Sequence, residues 1–191
     1  MPKKKNKFEL VQMPPQNTNS VVIFDGNNCV VFDPWGRAED WEKYFVSHDV
    51  TPTAIYATHG HPDHISAAAQ IATRFNIDWY MSHMDLDLIE WGNGLLDYFN
   101  LPKLSPNDKA PIDIKTGEYT VLSDIKMHVI ALPGHTRGGV GYFSPGFYDL
   151  QIIKLKGKKQ HDDRKHQKRN TDTDAGYSFH TLPPPMVLKS K

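Results

Sequence analysis

Two rhythms of apolar and polar residues run through residues 8–142. Ser20-Val21-Val22-Ile23-Phe24 and Cys29-Val30-Val31-Phe32 are β-branched and apolar, and Asp25-Gly26-Asn27-Asn28 between them is turn chemistry, so the pattern predicts a hairpin closed by Asp33-Pro34-Trp35-Gly36. From Ala38 to His48 the spacing of Trp41, Tyr44 and Phe45 is helical. Residues 53–57 read as a short buried strand. A helix is predicted over 63–75, where Ile65, Ala68, Ala69 and Ala72 share a face and Asn76 supplies a stop. A strand at 79–81 and a helix at 84–91 follow, then loop or broken helix over 92–100. A connector spans 103–114 and holds Pro106 and Pro111. Strands are predicted at 119–122 and 125–132, a glycine-rich loop at 133–139, and a further strand from 140 to 143. Strands alternating with helices make the fold class α/β.

After Phe143 the rhythm stops. Residues 157–176 are almost wholly polar, without a period of 2 or 3.6, and Leu182-Pro183-Pro184-Pro185 is a polyproline fragment. Such a stretch buries little apolar area. Charge reverses nearby: residues 1–150 carry 12 Lys/Arg against 18 Asp/Glu, and residues 151–191 carry 10 against 4. The division this predicts is a basic segment at 1–7, one domain at 8–143, and a polar basic, disordered tail at 144–191. The 191 residues suit one domain plus a tail. A net charge of zero argues for no strongly polyanionic partner. Met-Pro-Lys-Lys-Lys is not followed by an apolar run, and Cys29 is the single cysteine. Both features suggest a cytoplasmic protein without membrane spans.

Chemistry concentrates in two loops. Thr58-His59-Gly60-His61-Pro62-Asp63-His64 lies between a predicted strand and a predicted helix. Loops beyond the carboxyl ends of strands gather ligands in open α/β sheets. A glycine between two histidines frees the backbone to turn both rings to one point. Leu132-Pro133-Gly134-His135-Thr136-Arg137-Gly138-Gly139 also follows an apolar strand and supplies a third imidazole. Three imidazoles make an open tetrahedral zinc site.

Together the two loops resemble the metallo-β-lactamase superfamily, whose pattern is T-H-x-H-x-D-H after a strand and P-G-H-T in a later loop. Asp33-Pro34 is similar to the Asp-Pro that follows the family's third strand. The wording around His135 most resembles the glyoxalase II-type thioester hydrolases. The resemblance implies an αββα sandwich, of which residues 8–143 supply one half to two-thirds, leaving the second half incomplete. It implies that His59, His61 and His135 bind a first zinc ion and that Asp63 and His64 bind a second metal; iron or manganese satisfy such ligands too. A zinc-bound hydroxide would be the nucleophile, with Asp63 as the catalytic group that orients it or takes its proton.

The family pattern also calls for a Gly-Asp pair about twenty residues after the P-G-H-T histidine and for a late histidine. Asp149 comes early, and Asp162, Asp163, His161, His166 and His180 fall in the charged tail. A change of reading frame near Ser144 would account for this loss and for the shifts in composition and charge. The expected function is hydrolysis of a thioester or other ester-like small molecule. Two alternatives stand beside it: a phosphodiester hydrolase, disfavoured for a nucleic-acid substrate by the net acidic residues 8–143, and a non-catalytic or damaged member that only binds metal. Arg137 could meet an anionic substrate group or a surface carboxylate. His83 and His128 read as structural, and Trp35, Trp41, Trp79 and Trp91 as core or pocket wall. The pattern assigns no oligomeric state.

Overall fold

The computed structural model describes residues 7–105 and 107–144, and the backbone of 151–152. The expected 144–191 tail therefore lies almost wholly outside the described residues. So do Asp149, Asp162, Asp163, His161, His166 and His180.

Two sheets lie face to face. The first contains β1 (Lys7–Met13), β2 (Thr18–Asp25), β3 (Asn28–Phe32), β4 (Thr51–Tyr56), β5 (Asp78–Met81) and β6 (Ile112–Asp113), in that spatial order. Its first two pairings are antiparallel and its last three parallel. The second is antiparallel: β7 (Gly117–Leu122), β8 (Ile125–Ala131), β9 (Val140–Phe143) and β10 (Gln151–Ile152). The helices are α1 (Ala38–His48), α2 (Pro62–Ile65), α3 (Ala68–Phe75) and α4 (Asp87–Tyr98).

Side-chain chemistry explains this layering. β2 from Val21 to Phe24 and β3 from Cys29 to Phe32 run continuously apolar because both faces of the first sheet are covered there. Val22 and Val31 join Trp35, Trp41, Ile71 and Trp79 in a core under the helices. Val21, Ile23, Val30 and Phe32 point the other way and meet Met127 and Tyr142 of the second sheet. β8 instead alternates: Ile125, Met127 and Val129 are buried, while Lys126 and Ile130 face out. Among the described residues no helix covers that outer face. The fold class is α/β, as expected.

Several elements differ from the expectation. β1 was not predicted; its polar residues interrupt the pattern because, among the described residues, it is an edge strand paired with β2 alone. The helix expected over 63–75 is two helices. Ser66 Oγ accepts from Gly36 N at 2.9 Å and lies 3.2 Å from Gly36 O, and Ala67 N donates to Pro34 O at 3.1 Å. These bonds dock the break onto the turn after β3. The helix expected to end at Trp91 continues to Tyr98. Gly92 allows it, because Pro62 packs where a Cβ would stand, 3.1–3.2 Å away. β6 lies in the predicted connector.

Candidate metal centre

β4 sits between β3 and β5, and its carboxyl end delivers the first histidine loop. Ala57 N still bonds Tyr80 O at 2.8 Å, after which the chain leaves the sheet. Thr58 is fixed by Asp33, the residue after β3, whose carboxylate accepts from Thr58 N at 2.6 Å and from Thr58 Oγ1 at 2.7 Å. Asp33 adopts a left-handed conformation (φ 53°), which a short polar side chain tolerates better than most.

Thr58 Oγ1 lies 3.0 Å from His59 Nδ1, so the Nε2 of that ring turns toward His61. The second loop, 133–139, is closed at its base by Leu132 N to Gly139 O at 2.8 Å. It is tied to the first by Val140 N to Thr58 O, also 2.8 Å. His61 Nδ1 lies 3.1 Å from His59 Nε2 and 2.8 Å from His135 Nε2. The three imidazoles thus converge, with ligating nitrogens all within 4.8 Å of one another. A tetrahedral ion with metal–nitrogen distances of about 2.0–2.1 Å spaces its ligands by about 3.3 Å. The donor set and its spacing fit such an ion. His59 is buried, His61 half-buried and His135 exposed, so the cluster opens to solvent on one side.

Asp63 and His64 sit on α2 beside this cluster. The His64 ring is 4.2 Å from that of His59, centre to centre. Its Nδ1 faces Asp33 Oδ2 at 2.9 Å, which directs Nε2 toward Asp63 Oδ2 at 3.5 Å. An open cleft of about 360 Å³ adjoins the triad, with His61, Leu88, Pro133, His135 and Arg137 in its wall. Arg137 pairs with Asp87 at 2.8 Å on the rim, so its partner is a carboxylate of the chain itself. His83 bonds the Pro111 carbonyl at 3.0 Å, and His128 stacks on Phe143, both away from the triad. Trp35, Trp41 and Trp79 are buried, whereas Trp91 is 64% exposed with its ring 6.1 Å from that of His61.

Sequence reasoning missed Asp85. It lies in the 3-10 turn His83–Asp85, is 1% exposed, and touches both histidine loops. Glycine at both Gly60 and Gly138 was a signal that something packs closely there, but not of what.

The Metallo-beta-lactamase superfamily model matches residues 13–146. The hydroxyacylglutathione hydrolase GloC of Haemophilus influenzae is 29% identical over 128 residues, 66% of this chain and 60% of the relative. The chain thus spans about three-fifths of that protein's length. The BLEG-1 B3 metallo-beta-lactamase structure is 26% identical, with a TM-score of 0.60, covering 72% of this chain and 67% of its own. A structure of TTHA1623 in a di-iron-bound form shares the fold at a TM-score of 0.63 and 24% identity, with 74% and 69% covered.

Proposed function

Because the chain belongs to the metallo-β-lactamase superfamily, we propose that it is a metal-dependent hydrolase of a thioester or another ester-like small molecule. The convergence of His59, His61 and His135 from two loops carries this reading. The likeness to a hydroxyacylglutathione hydrolase favours a thioester among the ester-like substrates.

In this reading His59, His61 and His135 hold a first ion, zinc, and Asp63 with His64 supplies ligands toward a second. A bound ion would lower the pKa of water toward about 7 and polarise the scissile carbonyl. The chain's own residues do the rest. Asp33 and Thr58 fix the tautomer and direction of the His59 ring. Asp63, on α2 beside the triad, would orient the attacking water or take its proton. The cleft beside His61 and His135 offers Leu88 and Pro133 as apolar walls for the acyl or leaving group.

Zinc per chain and thioester hydrolysis together test the proposal. The unsubstituted chain is expected to bind at least one equivalent, to lose activity to a chelator and to regain it with zinc. His59→Ala should bring activity to background, and Asp63→Asn should lower kcat by about 10²–10⁴-fold. Hydrolysis that survives His59→Ala undiminished would overturn the proposal.

A further inference from the structure

The two histidine loops reach the triad from different sheets, and one carboxylate joins them. Asp85 Oδ2 accepts from Gly60 N at 3.1 Å, and Asp85 Oδ1 accepts from Gly138 N at 2.7 Å. Gly60 stands between His59 and His61, and Gly138 follows His135 by three positions. Each oxygen of a single buried side chain therefore holds the backbone of one ligand loop.

The fit is close on both sides. A Cβ on Gly60 would stand 2.7 Å from the Asp85 carbonyl oxygen and 2.8 Å from Asp85 Cβ. A Cβ on Gly138 would stand 2.8 Å from Asp85 Cγ and from Ser82 Oγ. Ser82 begins the turn that carries Asp85: its hydroxyl accepts from Met84 N at 3.3 Å, and its carbonyl accepts from Asp85 N at 3.1 Å. That turn leaves the end of β5, the strand beside β4, so the carboxylate is anchored to the sheet rather than to either loop.

We infer that Asp85 is a positioning residue that sets the spacing of His59 and His61 against His135 by clamping the peptide N–H groups of Gly60 and Gly138. Asp85 belongs to neither loop, yet its one carboxylate bonds the backbone of both. The inference rests on the reading of the triad as a metal site. Asp85 acts through the loops, so its removal should loosen the ligand set without removing a ligand. Asn at this position keeps one acceptor oxygen and turns an NH₂ group toward the other N–H.

Cobalt(II) binding to the metal-free chain, followed by its visible absorption, is the direct readout. Asp85→Asn and Gly138→Ala are each expected to weaken cobalt binding by about 10–100-fold, the usual effect of outer-shell partners, with an unchanged far-UV circular dichroism spectrum. A folded variant of either kind with unaltered cobalt affinity and spectrum would overturn the clamp. Should both variants fail to fold, hydrogen exchange on the unsubstituted metal-free chain decides. Slow exchange of the Gly60 and Gly138 amides together supports the clamp, and solvent-rate exchange at either refutes it. Exchange does not depend on metal, so an unsubstituted chain that binds no cobalt would sink the metal-site reading while leaving the clamp separately readable.

Discussion

Asp85 and Asp87 are two residues apart on either side of Leu86, yet one is buried against both ligand loops and the other pairs with Arg137 at the surface. No local pattern separates them, because what distinguishes them is the packing of segments distant in sequence. Asp33 was legible, since it stands in an Asp-Pro turn that closes a hairpin, though its bonds were not. Its carboxylate serves two donors on Thr58 and faces His64. Asp33→Ala leaves those buried groups without it and should cost about 2–5 kcal/mol in urea unfolding of the metal-free chain. Cys29 was legible as an apolar strand residue. Burial pushes its thiol from 9.0 up to about 12. The folded state thus prefers the protonated thiol more strongly than the unfolded chain does. That contribution is complete below about pH 9 and is lost as pH rises toward 12. Urea midpoints should fall across this window, and Cys29→Ala, less stable overall, should show a shallower decline.

Elements buried on one side or both announced themselves by apolar content, and β2, β3 and β8 follow the predicted bounds closely. The misread segments are those decided by contacts between elements. Ser66 and Ala67 fit a continuous helix by composition, but their bonds to Gly36 and Pro34 divide it. Residues 92–100 read as loop or broken helix, but Gly92 and Gly94 lie inside α4. They differ in surroundings: Gly92 has Pro62 against it and Gly94 has open space. Gly94→Ala should therefore stabilise the chain by about 0.5–1 kcal/mol through helix propensity, read as a rise in Tm. Gly92→Ala should gain less, because Pro62 must give way. Trp91 lies on the same helix, exposed and close to His61. Cobalt(II) should quench tryptophan fluorescence, and Trp91→Phe should remove most of the change.

Among the described residues the first sheet divides two apolar cores, one under the helices and one between the sheets. Two hydrogen bonds between the sheets lie beside the triad. Tyr142 donates its buried hydroxyl to Ala57 O at 2.8 Å, and Val140 N bonds Thr58 O. Tyr142→Phe leaves the Ala57 carbonyl without that partner, and a loss of about 1–2 kcal/mol is expected in equilibrium unfolding. The apolar runs marked the strands and the histidine motifs marked the two loops; that the loops meet was expected from the motifs and the family resemblance, and depends physically on how the sheets face. His61 and His135 are separated by 74 positions and belong to different layers. A cation shared between them would therefore act as a rivet through the sandwich. It would close a long span of chain whose release entropy grows only as about 1.5RT ln n. Splaying the two layers apart would then become a step limited by departure of the ion.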